Sequence, residues 1–470
     1  MKNTIFNSEK SKIKHINKSD NELDLEINLN SNDNNNSDNS SDSNLNMDNK
    51  FDSNSNSESG SESGSESEWC TESSTSSEHE EETQNFMGDL LNNKYIVLHK
   101  IGGGAFSSVW LSYNSIDSKY YILKIQFEDD YDDGLMEGKM LTRMKNNYII
   151  KIYERFIINK NRVCLVLEVL GECLCSLLDY NSNTGLSIPI VKKITKQLLD
   201  GVKYLHESRK LIHTDLKVEN ILLTSISPKI QQMKTDFEKT DLIKRFLELN
   251  KIQFSNLPSN RKKRNKIIKN KKDNLFKHYK DFVCETLSNF NYSNDLVEKI
   301  NINSDNCDIK IADFGTCVEL DDMFTDELQT EYYRSPEIIL GYKYNEKIDI
   351  WSVGCIIVEL LTGNLLFDPK KSKKYNRTTN HLLDIVELFG QFDKSMISKC
   401  KYKNKFFNKK NEIINCPEIE FSSLKQFFII NELSEKDAKE LSQFLLPFFK
   451  FKPKERISAN DALKLSWLTT

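Results

Sequence analysis

The sequence predicts an α+β fold in two parts, a small antiparallel β-sheet followed by a larger, mainly helical body. Three observations point there. Apolar and polar residues alternate on both sides of a glycine cluster between Tyr95 and Phe127, the two-residue period of half-buried strands. From Pro189 onward, in IVKKITKQLLDGVKYLHES, apolar residues recur at spacings of three and four, the period of an amphipathic helix. Hydrophobic residues make up only 38% of the 470 residues, and the deficit falls in two charged segments rather than in the body.

The first charged segment is an acidic tail, taken as residues 1–93. Residues 1–90 carry 20 Asp and Glu against 6 Lys and Arg, and from Asn28 to Glu82 the chain is almost entirely Asn, Ser, Asp, Glu and Gly. Such a segment cannot bury enough apolar area to offset about 1–2 kcal/mol of backbone ordering entropy per residue, so it is expected to be disordered. Its serines next to Glu suit an acid-directed kinase acting in trans; a purely solvating tail is the plainer alternative.

Order is expected from Lys94. YIVLHKIGGGAFSSVWLSYN reads as strand, glycine turn and strand, and YYILKIQF adds a third antiparallel strand. A helical pattern follows at Gly134 to Met144, then strands at Ile149–Ile157 and Val163–Val169, then the helix after Pro189. Residues 224–307 interrupt the helical part with 17 Lys and Arg against 10 Asp and Glu, including RKKRNKIIKNKK from Arg261 to Lys272. Phe237, Leu242, Ile243, Phe246 and Leu247 are expected to line one short helix there, and the remainder is expected to be mobile. The basic run reads as a nuclear import signal, a nucleic-acid contact or a solvated insert, with nucleic acid ranked low because no aromatics interleave for base stacking. Tail and insert are opposite in sign and are expected to associate in cis, which high salt would weaken. With both set aside, about 296 residues remain, the size of one two-lobed domain.

No apolar run approaches the roughly 18 residues of a membrane span, and the amino terminus lacks the apolar stretch of a secretory signal, so a soluble, intracellular chain is expected, without membrane partners. The 10 cysteines show no paired metal-ligand spacing, so reduced, mostly buried thiols are expected.

The glycine loop is weak evidence alone, because its third glycine is replaced. The residues downstream of it form a specific series: Lys124 ending a strand, Glu137 on the next helix, His213-Thr214-Asp215-Leu216-Lys217-Val218-Glu219-Asn220, Asp313-Phe314-Gly315, Ser335-Pro336-Glu337, Asp349-Ile350-Trp351, and Arg456 near the end. A triphosphate is highly anionic, so a glycine turn lets backbone N–H groups approach it, and Lys124 supplies a point charge held by the counterion Glu137. Asp313 and Asn220 are hard oxygen donors suited to magnesium. Asp215 can accept the proton of a substrate hydroxyl, with Lys217 neutralising the transferring phosphoryl.

This series resembles the signature set of the protein kinases. The resemblance implies a bilobal kinase fold over residues 94–468, with an N-lobe and hinge at 94–170 and a C-lobe at 171–468, interrupted by the 224–307 insert. It implies ATP and Mg2+ as cofactors, with ATP lined by Ile101, Gly102, Gly103, Gly104, Ala105, Phe106, Ser107, Ser108, Val109 and Lys124. The adenine would hang from the backbone of Glu168 and Leu170, behind a gatekeeper at Leu167, with Ile122 narrowing the pocket. Asp215, Lys217, Lys124 and Glu137 would carry catalysis, and Asn220 and Asp313 the metal. Glu337 and Arg456 would form a buried ion pair, and Asp349 would hold the catalytic loop.

Within the kinases, HTDLK with a long insert before DFG resembles the serine/arginine-rich (SR) protein kinases, with the LAMMER kinases next. FSSVWLSYN, EVLG, FTDELQTEYYRSPE, YKNKFFNKKNEI and FLLPFFKFKPKERISANDALKLSWL favour the first. The resemblance implies a non-specific serine/threonine protein kinase acting as a monomer on basic, serine-containing proteins, with the insert governing partition between cytoplasm and nucleus. Thr214 stands where an arginine usually grips a phosphorylated activation loop, and only 19 residues separate Gly315 from Ser335. Activity without activation-loop phosphorylation is therefore expected; loss of all activity after phosphatase treatment or in Thr330→Ala would refute it. The family's acidic docking positions fall at Asn364, Asn380 and Glu387, leaving one carboxylate. Glu331 stands where an arginine would hold a neighbouring phosphoserine, while Arg334 and Arg377 remain to bind substrate. Weaker Arg-Ser docking and less preference for a priming phosphate are expected. A kinase-fold scaffold with little catalysis, and a kinase with non-SR substrates, remain as alternatives. The Asn/Lys/Ile-rich composition suggests an AT-rich genome, of a protist or a large DNA virus, and packaging in a virion is left open for the viral case.

Overall fold

The computed structural model describes residues 84–180, 184–290, 292, 302–303, 306–320, 328–371, 374–414, 416 and 419–469. The acidic tail up to Thr83, with its predicted disorder and cis association, lies outside the described residues.

Six strands form one antiparallel sheet in the order β1-β2-β3-β4-β6-β5: β1 (Leu90–Leu91), β2 (Tyr95–Gly103), β3 (Ser107–Asn114), β4 (Lys119–Gln126), β5 (Ile152–Ile158) and β6 (Arg162–Leu167). The alternation read in the sequence builds a face on each side. Ile96, Leu98, Leu111, Ile122 and Leu165 point to one core, and Tyr95, Val97, Trp110, Leu123 and Val166 to a second. Packed structure already precedes Lys94: Phe86 is buried edge-on against Trp110, with ring centroids 5.9 Å apart, and Gly88 N–H donates to Val97 O at 2.8 Å. The reason is local, since Phe86 and Met87 supply apolar surface that the Asn/Ser/Glu-rich sequence before them lacks.

Helix α1 (Tyr131–Thr142) lies against this sheet. Its glycines at positions i and i+4 let it do so closely: a Cβ on Gly134 would stand 2.6 Å from Gln126 Cγ, and one on Gly138 2.9 Å from Leu165 Cδ2. That approach carries the intervening Glu137 into the sheet's edge.

The helical body starts with α2 (Leu174–Tyr180) and α3 (Ile188–Lys203), whose buried Val191, Ile194, Leu198, Leu199 and Val202 follow the predicted periodicity. Two short ribbons, β7 (Leu211–Ile212) with β10 (Val318–Glu319) and β8 (Ile221–Leu223) with β9 (Ile309–Ile311), frame the loops between them. Beyond them α7 (Pro336–Leu340) leads to α8 (Lys347–Thr362), buried from Ile348 to Thr362, around which the body packs; α9 (Arg377–Phe389) follows.

The insert departs from expectation. Instead of one short helix in a mobile stretch it forms α4 (Pro228–Lys239), α5 (Leu242–Lys251) and the 28-residue α6 (Arg261–Ser288). Phe237, Leu242 and Phe246 are buried as predicted, but Phe237 belongs to α4 and Leu247 is exposed. The helices persist because they dock on the sheet. Phe237 fills the space beside Tyr113 (5.3 Å) and Tyr120, Tyr120 donates to Glu238 at 3.0 Å, and Lys280 pairs with Asp89 at 2.8 Å. The Arg261–Lys272 run forms the N-terminal part of α6, where all residues except Ile268 are exposed.

Candidate active site

Lys124 on β4 and Glu137 on α1 meet at 2.8 Å, and Lys124 also reaches Asp313 Oδ1 at 2.8 Å. Glu137 is saturated: it also accepts from Gln126 Nε2 at 2.9 Å and from the Phe314 N–H at 3.3 Å. Burial works against the charge of Lys124, and the carboxylates of Glu137 and Asp313 outweigh it, holding the ammonium protonated well above the usual lysine range. Burial is the largest single influence on Asp313 and pushes its pKa up, but the charge and hydrogen bond of Lys124, with smaller contributions from His213 and Lys217, together outweigh it and lower the pKa. Asp313 has φ +60°, a left-handed backbone that turns its carboxylate toward Lys124 while Phe314 is buried beside His213, ring centroids 5.0 Å apart.

The loop between β7 and β8 carries the second group. Asp349, at the start of buried α8, accepts from the backbone N–H groups of His213 (2.8 Å) and Thr214 (3.0 Å) and from His206, so the buried helix anchors the loop. His213 donates from Nε2 to Ala312 O at 3.1 Å, leaving Nδ1 to accept the Asp215 N–H at 3.3 Å. Asn220 Nδ2 donates to Asp215 O and Oδ2, and Lys217 Nζ lies 3.0 Å from Asp215 Oδ2.

Sequence reasoning missed what faces Asp215. Thr330 Oγ1 donates to Asp215 Oδ1 at 2.6 Å and accepts from Lys217 Nζ at 3.2 Å. Thr330→Ala therefore cannot test loop phosphorylation, because it removes a direct partner of Asp215. Gln329, also missed, is buried with φ +64°. Its Nε2 donates to Tyr333 O, Ile348 O and Ser352 Oγ, and its Oε1 accepts from the N–H and hydroxyl of Ser335. No periodicity marks a buried amide in an irregular segment. Thr214, in place of the usual arginine, donates from Oγ1 to Thr316 O at 2.7 Å.

The glycine loop suits a phosphate. A Cβ at Gly102 or Gly104 would meet nothing within 4 Å, so chain packing does not require glycine there and the space beside the backbone is open to a ligand. Among the described residues no cluster of three or more His, Cys, Asp or Glu is arranged to hold a metal. Two oxygen donors, Asp313 and the Asn220 amide oxygen, fit magnesium, which keeps water and phosphate oxygens as its other ligands. Glu168 accepts from the Lys151 N–H and from Lys310 at 2.6 Å, fixing the hinge next to Leu170, and Ile122 pairs across the sheet with Leu167.

Glu337 and Arg456 form a bidentate pair at 2.6 and 2.9 Å, both side chains fully buried. The substrate-side residues are more engaged than expected. Arg334 donates to Leu328 O and Gln329 O, and Arg377 pairs with Glu331 at 3.1 Å. Asn364 donates to Asn431 Oδ1, and Asn380 Nδ2 to Lys370 O. Glu387 is not the sole carboxylate there. Asp384, one turn after Asn380 on α9, has its pKa raised to about 6, by burial first and then by Glu387 and Asp368. Its spacing from Asn380 and Glu387 on one helix face was the available signal.

The family model for the protein kinase domain matches residues 95–251 and 293–468. The chain is 31% identical over 395 residues to the serine/threonine-protein kinase SRPK of Physarum polycephalum, covering 80% of this chain and 86% of that one. It is 29% identical to protein kinase dsk1 of Schizosaccharomyces pombe, over 83% and 85% of the two chains. A putative serine/threonine-protein kinase of Acanthamoeba polyphaga mimivirus is 25% identical over 85% and 91%. The chain belongs to the protein kinase family and, within it, to the SR-protein-kinase-like serine/threonine kinases.

Proposed function

We propose that this kinase phosphorylates serine hydroxyls of basic proteins and is active without phosphorylation of its activation segment. The observation that carries the reading is Gln329, a neutral amide making five hydrogen bonds that hold the segment between Thr330 and Ser335 without an arginine–phosphate clamp. In this reading Lys124, steadied by Glu137, grips the α and β phosphates of ATP beneath the glycine loop. Asp313 and Asn220 would hold Mg2+, which when bound would supply charge to neutralise the phosphates. Asp215 accepts the serine proton and orients its oxygen for in-line attack, while Lys217 balances the charge of the transferring phosphoryl.

Asp384, Glu387 and Asp368 favour a basic segment of the protein substrate along α9, restoring negative charge that Asn364 and Asn380 lack. The kinase would act as a monomer, cytoplasmic with a nuclear fraction, the exposed basic run of α6 being the cluster available to an import receptor. Labelled ATP offered with Arg-Ser and Ser-Glu peptides tests the reading. Wild type should label Arg-Ser peptides, before and after phosphatase treatment, and Asp215→Ala should not. Equal labelling by both proteins, or loss of wild-type activity on dephosphorylation, would sink it.

A further inference from the structure

The basic run at residues 261–272 forms the first part of α6, and it is built against the ordinary preferences of a helix. Eight of its twelve residues are Lys or Arg, and none is Asp or Glu. Residues 261–264 are all cationic, at the positive end of the helix dipole, and no acidic residue stands in the first turn to offset them. Arg261 with Arg264, Lys262 with Lys266, Lys263 with Lys266, and Lys266 with Lys269 are three or four residues apart, where like charges destabilise a helix. Among the described residues none of the eight cations has an ion pair, whereas Lys280 further along pairs with Asp89 at 2.8 Å. The later part of α6 does the docking: Phe276 and Tyr279 lie 6.1 and 5.6 Å from Phe246, and Arg245 sits over the Phe282 ring at 4.0 Å. The first part is exposed except at Ile268, with Lys271 over the Phe254 ring at 5.6 Å. It is a charged rod about 18 Å long, at about 1.5 Å per residue.

We propose that the first part of α6 binds duplex DNA by lying in its major groove, where its cations meet phosphates on both walls. At about 100° per residue the eight cations point all round the helix, with no gap wider than about 80° between neighbours. A flat anionic surface, such as a membrane or an acidic protein face, reaches one side of such a rod and leaves the other uncompensated. The major groove of B-form DNA is about 12 Å wide, admits a helix about 10–12 Å across, and has a phosphate strand on each side. Duplex DNA also has the matching charge density, about one phosphate per 1.7 Å of axis. A helix lying on a membrane needs an apolar face, and here Ile267 and Ile268 are the only apolar residues of the run, about 100° apart around the axis. The lack of interleaved aromatics counts against single strands, which bind by base stacking, and not against a duplex held through its backbone. Phosphate contacts carry no sequence information, so binding is independent of base sequence. On DNA the kinase would stand beside other DNA-bound basic proteins; that consequence rests on the proposed substrate class, whereas the binding does not.

Fluorescence anisotropy of a labelled DNA duplex with the full chain tests this, alongside a labelled RNA duplex and with polyglutamate and phosphatidylserine vesicles as competitors. The DNA duplex should bind, with log affinity falling against log salt at a slope of about −4 or steeper between about 50 and 200 mM. It should bind more tightly than the RNA duplex, whose deep, narrow major groove excludes a helix. Lys262→Gln with Lys269→Gln, and Arg264→Gln with Lys271→Gln, each remove two charges from opposite sides of α6, and each pair should make the slope shallower by about 2. Glutamine keeps helix propensity and relieves like-charge contacts, so neither pair should lower the unfolding temperature. Absence of DNA binding at about 50 mM salt, or an RNA duplex bound as tightly as DNA, overturns the proposal without recourse to any variant. A loss confined to one of the two pairs, or displacement of DNA by vesicles or polyglutamate at equal concentration of charge, would assign the rod to a one-sided partner and overturns it as well.

Discussion

Replacing Gln329 tests how the substrate platform is held. Glycine there would mix two effects, because the residue sits at φ +64°, where the glutamine Cβ is strained and its removal would relieve that strain. Gln329→Ala keeps the Cβ, and with it the same strain, while removing the amide. It deletes three donated bonds, to Tyr333 O (3.2 Å), Ile348 O (3.0 Å) and Ser352 Oγ (2.8 Å), and two accepted ones from Ser335 (3.0 and 2.9 Å). Not all are equally missed. Ser352 still donates to Tyr333 O, and the Ser335 hydroxyl can turn, but the buried Ser335 N–H is left with no acceptor. An orphaned buried N–H costs about 1–3 kcal/mol and each simple loss about 0.5–1.5, so the segment should become about 2–5 kcal/mol easier to open. Because Thr330 and its contact with Asp215 ride on that segment, kcat/KM should fall at least about tenfold, tenfold being about 1.36 kcal/mol. Hydrogen exchange at Ser335 should accelerate while exchange in α8 stays as in wild type. Unchanged kcat/KM together with unchanged protection of Ser335 would refute the reasoning.

Other sites give separate readouts. Arg456→Ala strands the fully buried Glu337 and should cost about 3–5 kcal/mol in urea unfolding, with a Glu337→Gln/Arg456→Met double variant recovering part; a loss below about 1 kcal/mol would contradict a buried pair. Glu359, buried on α8 and accepting from Tyr333 at 2.7 Å, has its pKa raised to about 8, by burial first and then by Glu219 and Asp179. The folded state therefore holds this proton more tightly than the unfolded chain, and stability falls as pH rises from about 4.5 to 8. Glu359→Gln keeps the acceptor for Tyr333 and should gain about 2–4 kcal/mol on wild type between pH 5 and pH 9; an equal difference at both pH values would rule this out. Thr330→Ser should retain most activity and Thr330→Ala should lose kcat more than KM, whatever the phosphorylation state; wild-type kcat in the alanine variant would show that the Asp215 contact is idle.

Much of the site was legible because kinase chemistry fixes residue types at separations along the chain that folding then closes. Residues separated along the chain meet in space: Lys124 with Glu137 and Asp313, Asn220 with Asp215, Glu337 with Arg456, and Asp349 with the backbone of His213. The helices of the insert were harder to read because lysines mask their period. In the second half of α6, Phe276, Tyr279, Val283 and Leu287 recur at three and four, and all but Phe276 are buried, yet the basic run before them dominates the composition. Gln329 and Thr330 were missed for another reason. Their roles depend on which polar side chains end up buried around an irregular turn, and no local pattern records that. Asp384 was within reach, since it falls on the same helix face as Asn380 and Glu387.

The manner in which the activation segment is held has a consequence for control. Its start is tied by the Thr214 hydroxyl to Thr316 O, and its end by the Gln329 amide; both ties are neutral, the first part-buried and the second buried. Neutral buried hydrogen bonds neither titrate near physiological pH nor weaken with salt, whereas an arginine-phosphate clamp does both and can be removed by a phosphatase. The ionic tie between Glu331 and Arg377, by contrast, is partly exposed. Salt should therefore separate two properties that a phosphate-clamped kinase would lose together. Between about 50 and 300 mM salt, turnover of a short neutral serine peptide should stay nearly constant, while the proposed preference for Arg-Ser over Ser-Glu peptides should flatten as screening weakens the exposed charges that favour a basic substrate. A parallel fall of both would mean that the catalytic arrangement itself depends on exposed charge, contrary to the part assigned to Gln329.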